Sequence, residues 1–219
     1  MRVDANRGRL LDRAIGFALT AAQGITPHML ARRTPCASWD LGMLLLHLAD
    51  SLDALHEAIA GGHVERRSEP AGADDPVSEM RVHAVRVLRA SGARSVVTVG
   101  DRRLAGDLLA AAGAVEVAVH GWDIAQATGE ERPIPPVLAA DLLAVVPLVL
   151  PAPPRGPLFA DPVEPPPGAT PSDRLVALLG RRALPCHGPA AALRKEDAHL
   201  GGFQENRPVR SPGPWRETR

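Results

Sequence analysis

Aromatic side chains are scarce in this 219-residue chain, which has three Trp, three Phe and no Tyr. Proteins that hold single-stranded nucleic acid stack its bases on aromatic rings, and this chain has little material for such a platform. Its basic and acidic side chains balance at 25 each, so no overall electric field attracts nucleic acid or anionic lipid. We therefore expect neither nucleic acid nor a membrane among its partners.

Export signals and long apolar runs are lacking as well. Residues 1–17 contain neither the apolar run nor the small-residue cleavage site of a signal peptide. The longest apolar run, residues 137–150, is interrupted by an acid and a proline and is too short to span a bilayer. Cys36 and Cys186 lie far apart, and free thiols are expected rather than a disulfide. These absences predict a cytoplasmic protein.

Helical periodicity is the main pattern that is present, and proline or glycine punctuates it. Four segments carry apolar residues along one helical face: residues 6–23, 39–60, 76–90 and 104–128. The third is expected to bury Val77, Met80, Ala84, Val87 and Leu88. Because the core must be built from Ala, Leu and Val, and because the connections are short, an antiparallel four-helix bundle is predicted.

The C-terminal part of the chain is predicted to add short helices to this all-α bundle. Residues 137–149 and 172–179 each show a helical pattern, on either side of a proline-rich stretch. Before the fourth helix, residues 95–99 (SVVTV) suit a short extended piece. We expect one domain over residues 1–182 and a mobile or loosely attached tail, rich in Arg, Pro and Gly, over residues 183–219.

One carboxylate interrupts the most apolar stretch of the chain. From Leu108 to Val119 the sequence reads LLAAAGAVEVAV, and Glu116 is its only polar side chain. A helix here is expected to lie inside the protein, where a carboxylate is costly unless a cation or strong donors meet it. His120 follows one helical turn later, so the two side chains project side by side. A divalent metal would satisfy both.

A third metal ligand is predicted on the second helix. His47 lies about 110° from the centre of that helix's apolar stripe, at roughly 100° per residue, so it sits at the stripe's edge. Two imidazoles and a carboxylate form a catalytic zinc set that leaves a fourth coordination position open. Zinc is the expected ion, but nickel, iron or manganese can use the same ligands.

Other interpretations of these residues stay open at this point. A lone buried histidine is more often a hydrogen-bonded core residue than a ligand, and Glu116 can instead pair with an arginine of the first or third helix. Asp123 lies seven residues after Glu116, on the same side of the helix. There it can orient a ligand imidazole, or it can be a solvated charge at the helix end.

Four further residues are given structural roles. Trp122 is assigned to packing. Cys36 is expected to be an inert thiol, with a reactive thiol as the alternative. Arg102 and Arg103 are expected to be solvated loop charges, although such a pair can also hold an anionic substrate.

Three segments of the chain carry the motifs of a known family. Residues 34–48, TPCASWDLGMLLLHL, match the pattern T-P-C-x-x-W-[DN]-x6-H, and residues 116–129, EVAVHGWDIAQATG, match E-x-x-x-H-x-W-D-x-A-x-A-x-G. In both, the chain resembles the mycothiol-dependent maleylpyruvate isomerase N-terminal domain family. SDRLVALLGRR, residues 172–182, is similar to the D-R-L-L-x-x-x-G-R ending of its actinobacterial single-domain members, with Val176 in place of the second Leu. The resemblance covers roughly residues 6–182.

The resemblance implies a DinB-like four-helix bundle in which His47, Glu116 and His120 bind a divalent metal, usually zinc. It also implies transfer or isomerisation chemistry that uses the thiol of mycothiol. A metal with an open position can hold a thiol as the thiolate nucleophile at neutral pH, ready to attack a small electrophile. The isomerase proper has an additional C-terminal domain that the residues after Arg182 are too few to supply. General mycothiol S-transfer is therefore expected rather than maleylpyruvate isomerisation.

Two functional hypotheses follow from the sequence. The first is a cytoplasmic, metal-dependent thiol S-transferase or isomerase that uses mycothiol, acting as a monomer or homodimer. The second is a non-catalytic metal-binding module built on the same helical bundle. A nucleic-acid-binding role is disfavoured by the neutral charge and the few aromatic rings.

Overall fold

Helices dominate the computed structural model, which describes residues 2–36, 39–64, 75–90, 94–155 and 160–183, with the backbone alone described for residues 2–8. The helices of this described part are α1 (Arg2–Ala21), α2 (Leu41–Gly61), α3 (Pro76–Arg89), α4 (Gly106–Thr128), α5 (Pro136–Val149) and α6 (Pro171–Leu178). A single 3-10 turn, Pro27–Met29, lies between α1 and α2. The expected C-terminal tail lies outside the described residues from residue 184 onward.

Helices α1 to α4 pack together as the predicted bundle. α1 packs mainly against α4, and α2 packs mainly against α3 and also contacts α4. α5 and α6 pack against each other, and α5 also contacts α4. The core between them is built almost entirely from Leu, Ala, Val and Ile. The predicted all-α bundle with short C-terminal helices is therefore confirmed.

Local capping chemistry places the helix that carries His47. Asp40 precedes α2 and its side chain accepts a hydrogen bond from the backbone N–H of Met43 at 2.8 Å. That bond satisfies one of the donors that a helix start leaves unpaired. The backbone N–H of Leu41 and that of Gly42 donate back to the carbonyls of Arg32 and Leu30. The loop before α2 is thereby folded against the helix start, which fixes the residues that flank the site.

Two glycines let α4 approach both of its neighbours closely. A Cβ at Gly113 would lie 2.6 Å from Leu55 Cδ2 on α2, and a Cβ at Gly121 would lie 3.0 Å from Ala18 Cα on α1. Without side chains at these positions, α4 sits tightly between α1 and α2. Because Glu116 is one turn from Gly113, this close contact brings it within reach of α2.

The described part of the chain also contains one small sheet that was predicted only in part. β2 (Val96–Val99) matches the expected extended piece, but β1 (His63–Val64) and β3 (Arg102–Ala105) were not predicted. β1 pairs with β2 in parallel, and β3 pairs with β2 antiparallel. The expectation that the fourth helix begins at residue 104 was wrong, because residues 104 and 105 belong to β3. Leu88 was also expected inside and is 41% exposed.

Among the described helices, only α4 has the length and hydropathy of a membrane span. Its most apolar window is 72% buried inside the protein, as expected for the central helix of a bundle. Its apolar character is therefore accounted for by core packing.

Candidate metal centre

His47 of α2 and Glu116 and His120 of α4 lie together in the structure. Each offers one donor atom, and these atoms all lie within 4.8 Å of one another. The Nε2 atom of His47 is 2.7 Å from Glu116 Oε1, and the Nε2 atom of His120 is 3.2 Å from the same oxygen. Both partners that the structure shows for Glu116 are therefore imidazoles, not the arginine of the alternative interpretation.

The three side chains lie at the edge of the core rather than at its centre. The side chain of His120 is 5% exposed, that of His47 is 23% exposed and that of Glu116 is 37% exposed. Glu116, on a helix that was expected to lie inside the protein, is therefore only partly buried. The apolar residues around Glu116 pack against other helices, whereas Glu116 itself, at the edge of the apolar stripe of α4, is partly exposed to solvent. The cluster thus has a buried side at His120 and an open side at Glu116.

Asp123 lies behind His120, on the side away from Glu116. Its side chain has no solvent exposure, and its Oδ2 atom is 3.0 Å from His120 Nδ1. The alternative of a solvated charge is therefore wrong. When Nδ1–H donates to Asp123, the lone pair of Nε2 faces the cluster, as in most metal-bound histidines.

The charges of the cluster shift two pKa values. Burial alone raises the pKa of Glu116, but His120 and His47 outweigh it and hold that pKa well below its ordinary value. Burial alone lowers the pKa of His120, but Glu116 and Asp123 outweigh it and raise that pKa to about 9. At neutral pH the metal-free cluster is therefore an ion pair between a carboxylate and an imidazolium. A divalent cation bound to the same atoms would displace the proton from His120.

This donor set fits a divalent metal. Two imidazole nitrogens and one carboxylate oxygen converge from two helices. The second nitrogen of His120 is already engaged by Asp123, which fixes the ring. Three protein ligands with an open side leave room for an exogenous ligand.

Trp39 is a site residue to which sequence analysis gave no role. Its ring centroid lies 4.3 Å from that of His47 and 6.0 Å from that of His120. The hydroxyl of Thr34, a buried residue, lies 2.8 Å from the Trp39 carbonyl oxygen and 3.0 Å from that of Cys36, and can donate to either. Trp39 precedes Asp40, which caps α2, so it lies outside the helix and helical spacing does not place it. The signal that could have identified it is its place in the motif T-P-C-x-x-W-[DN]-x6-H, which also contains His47.

Cys36 and Arg181 lie beside the same cluster. Burial raises the pKa of the Cys36 thiol; the charge of Arg181 opposes this rise, and those of Asp123 and Glu116 add to it. A raised pKa disfavours the thiolate, which agrees with the expected inert thiol. Cys36 is free, whereas Cys186 lies outside the described residues. Arg181 was not singled out from the sequence, although it closes the third motif.

The remaining candidates are not among the donor residues of the cluster. Trp122 is 6% exposed and belongs to the core, as assigned. Arg102 and Arg103 are exposed, as expected, but they lie on β3 rather than in a loop.

Comparison with known proteins shows to which family the chain belongs. The family model of the mycothiol maleylpyruvate isomerase N-terminal domain matches residues 11–125, just over half of the chain, and this range includes His47, Glu116 and His120. The chain belongs to this family. As a member of the mycothiol maleylpyruvate isomerase N-terminal domain family, it carries the mycothiol-related, DinB-like bundle that its motifs indicate. The matched range ends within α4, so α5 and α6 lie beyond it.

Two mycobacterial proteins are similar to this family member over most of their length. They are uncharacterized proteins of Mycobacterium tuberculosis, from strains CDC 1551 / Oshkosh and ATCC 25618 / H37Rv. Each is 28% identical to the chain over 153 residues, which is 68% of this chain and 82% of the relative. No solved structure gives a significant match.

Proposed function

We propose that this protein is a metal-dependent enzyme of mycothiol chemistry, a thiol S-transferase or isomerase that acts on a small electrophile. The observation that carries the proposal is the convergence of donor atoms from His47, Glu116 and His120 within 4.8 Å. It occurs inside the range matched to a mycothiol-related family. We assign these three residues as metal ligands, with zinc as the expected ion and nickel, iron and manganese as chemically compatible ones.

The chain's own residues divide the work of such a site. When bound, a divalent ion with an open coordination position holds a thiol as thiolate at neutral pH. Glu116 contributes the negative charge of the ligand set, and His47 and His120 contribute imidazole nitrogens. Asp123 fixes the ring of His120 through Nδ1. Trp39 packs against the ring of His47, with the ring centroids 4.3 Å apart.

Access to the site follows from the exposure of its members. Since Glu116 and His47 are partly exposed and His120 is buried, a thiol and an electrophile approach from the side of Glu116. We also propose that the protein works in the cytoplasm, where low-molecular-weight thiols are kept reduced. Residues 1–182 are proposed as the functional domain.

Metal content tests the ligand assignment. We expect purified protein to bind one equivalent of metal, and His47→Ala to lose this binding while its circular dichroism stays helical. His28→Ala is the matched control, because His28 is exposed and its shown side-chain partner is Thr26, outside the cluster. Full metal occupancy in His47→Ala would contradict the assignment.

Turnover is tested separately. Metal-loaded protein is incubated with mycothiol and a panel of activated alkenes, epoxides and halides, and conjugates are detected by mass spectrometry. Metal-dependent conjugates that disappear in His47→Ala support the enzyme. If the wild-type protein binds metal and yields no conjugate across the panel, the non-catalytic metal-binding module is the better description.

A further inference from the structure

The carboxylate of Asp123 needs more hydrogen-bond donors or positive charge around it than His120 alone supplies. The Asp123 side chain is wholly buried, and a buried carboxylate is stable only with a cation or several donors around it. His120 supplies one N–H, to Oδ2 at 3.0 Å. Asp123 therefore needs a further donor or cation beside its carboxylate.

Arg181 supplies that donor from the far end of the described chain. Its Nη2 atom is 3.4 Å from the same Oδ2 of Asp123, and its Nη1 atom donates to the Leu179 carbonyl at 2.9 Å. The guanidinium is charged at every accessible pH, and its side chain is 19% exposed. Among the described residues, Asp123 Oδ1 and Arg181 Nε are the buried side-chain atoms without a hydrogen-bond partner. The ion pair therefore retains one free acceptor and one free donor.

The backbone after α6 determines where Arg181 lies. Gly180 has φ 76°, and its N–H donates to the Ala177 carbonyl at 2.9 Å, while the N–H of Arg181 donates to the Val176 carbonyl at 2.9 Å. This is a Schellman motif, in which a left-handed glycine reverses the chain at a helix end. A Cβ at Gly180 would lie 2.5 Å from Ala160 Cβ, so space as well as φ requires glycine.

Packing holds this helix end against the bundle. Leu175, Val176 and Leu179 are buried members of the hydrophobic core. The Nη1 atom of Arg155, a buried residue, donates to the Leu178 carbonyl near the end of α6. The turn that carries Arg181 is therefore a fixed part of the fold and not a loose end.

We propose that Arg181 is a positioning residue that holds Asp123 against His120 and so sets the orientation of a metal ligand. The inference rests on the proposed metal site. It assigns a role to a residue that lies 56 positions beyond the range matched to the family, which ends at residue 125. In this chain, the segment after α6 thus completes the surroundings of the metal centre.

The test compares two neighbouring arginines. The dissociation constant for zinc is measured by competition with a chromogenic chelator, using the full chain. Arg181→Met is expected to weaken zinc binding about tenfold, the lower end of the range for partners that orient metal ligands. Arg182→Met is the matched control, because Arg182 is exposed, and it is expected to bind as the wild type does. Arg181→Lys, which keeps the charge, should recover part of the loss.

A merely structural role is distinguished by spectroscopy and by a double-mutant cycle. Visible bands of the cobalt-loaded protein report ligand geometry and should shift in Arg181→Met but not in Arg182→Met. If Arg181 acts through Asp123, Arg181→Met should add no further loss of affinity in an Asp123→Asn background. Arg181→Gln is measured in parallel with Arg181→Met. The expected changes in zinc affinity, in the cobalt spectrum and in the double-mutant cycle are judged on whichever of these two variants keeps the wild-type helical content.

The outcomes separate this inference from the proposed function. Wild-type metal affinity and an unchanged cobalt spectrum in Arg181→Met, even with a lower Tm, would overturn the positioning role and leave the metal site intact. Equal losses in Arg181→Met and Arg182→Met would overturn it as well. A wild-type protein that binds no metal would refute the proposed function, and with it this inference.

Discussion

Metal binding at this site is expected to release a proton from His120. In the metal-free protein, Glu116 and Asp123 overcome the effect of burial and raise the pKa of His120 to about 9. A metal ligand must present a neutral imidazole nitrogen, so metal and proton compete for Nε2. Because the group is protonated below its pKa, metal affinity should rise as the pH increases toward 9 and level off above it.

The size of the effect follows from this one pKa. At pH 7 a group with a pKa of about 9 is almost fully protonated, and at pH 9 about half of it is. The dissociation constant should therefore fall about ninefold between pH 7 and pH 8 and about fivefold between pH 8 and pH 9, which is about 50-fold in total. That change corresponds to about 2 kcal/mol of binding free energy.

Isothermal titration calorimetry measures this release directly. Titrations at pH 7.5 in two buffers of different ionisation enthalpy should give about one proton released per metal bound. Asp123→Asn should reduce the release at that pH, because it removes one of the charges that raise the pKa of His120. Metal binding that is independent of buffer and of pH between 7 and 8.5 would refute the ion pair as the metal-free state.

Three further predictions follow from the same structure. The free energy of unfolding of the metal-free protein should fall as the pH rises through 9, because the raised pKa of His120 stabilises the fold only while the imidazole is protonated. Denaturant titrations at pH 7 and pH 9.5 measure this fall, and an equal or greater free energy of unfolding at pH 9.5 would contradict it. Gly113→Ala should destabilise the fold by about 1–3 kcal/mol through its contact with α2, whereas Gly16→Ala, which has nothing within 4 Å, should be neutral or stabilising in thermal denaturation. Metal binding should change the tryptophan fluorescence through Trp39 beside His47, and a signal that persists in Trp39→Leu would show that another tryptophan reports it.

Helix positions were largely predictable because their signals are local. α2 and α4 were predicted within about two residues at their ends, since Asp40 caps one helix start and glycines follow both helix ends. The apolar spacing also placed His47, Glu116 and His120 at the edges of two stripes. When two helices pack through those stripes with these edges on the same side, the three side chains meet, and the structure has this arrangement.

Other features depend on contacts that no short window encodes. The strands β1 and β3 are two and four residues long and largely exposed, so they show little alternation of polar and apolar residues. The exposure of Glu116 depends on what covers the outer edge of α4, which its own apolar neighbours do not reveal. The contact between Arg181 and Asp123 spans 58 residues of sequence. The turn at Gly180 can be recognised from the sequence L-G-R. The carboxylate that Arg181 contacts, that of Asp123, cannot be identified in this way.

X-ray absorption at the zinc K-edge of the loaded protein tests the central claim most directly. Zinc held by His47, Glu116 and His120 should show two imidazoles and oxygen or nitrogen neighbours at about 2.0–2.2 Å, with no sulfur. Addition of mycothiol should introduce one sulfur neighbour at about 2.3 Å while the two imidazole signals persist. A spectrum without imidazole scattering, or one that acquires no sulfur with saturating mycothiol, would contradict a thiol-binding metal centre at this cluster.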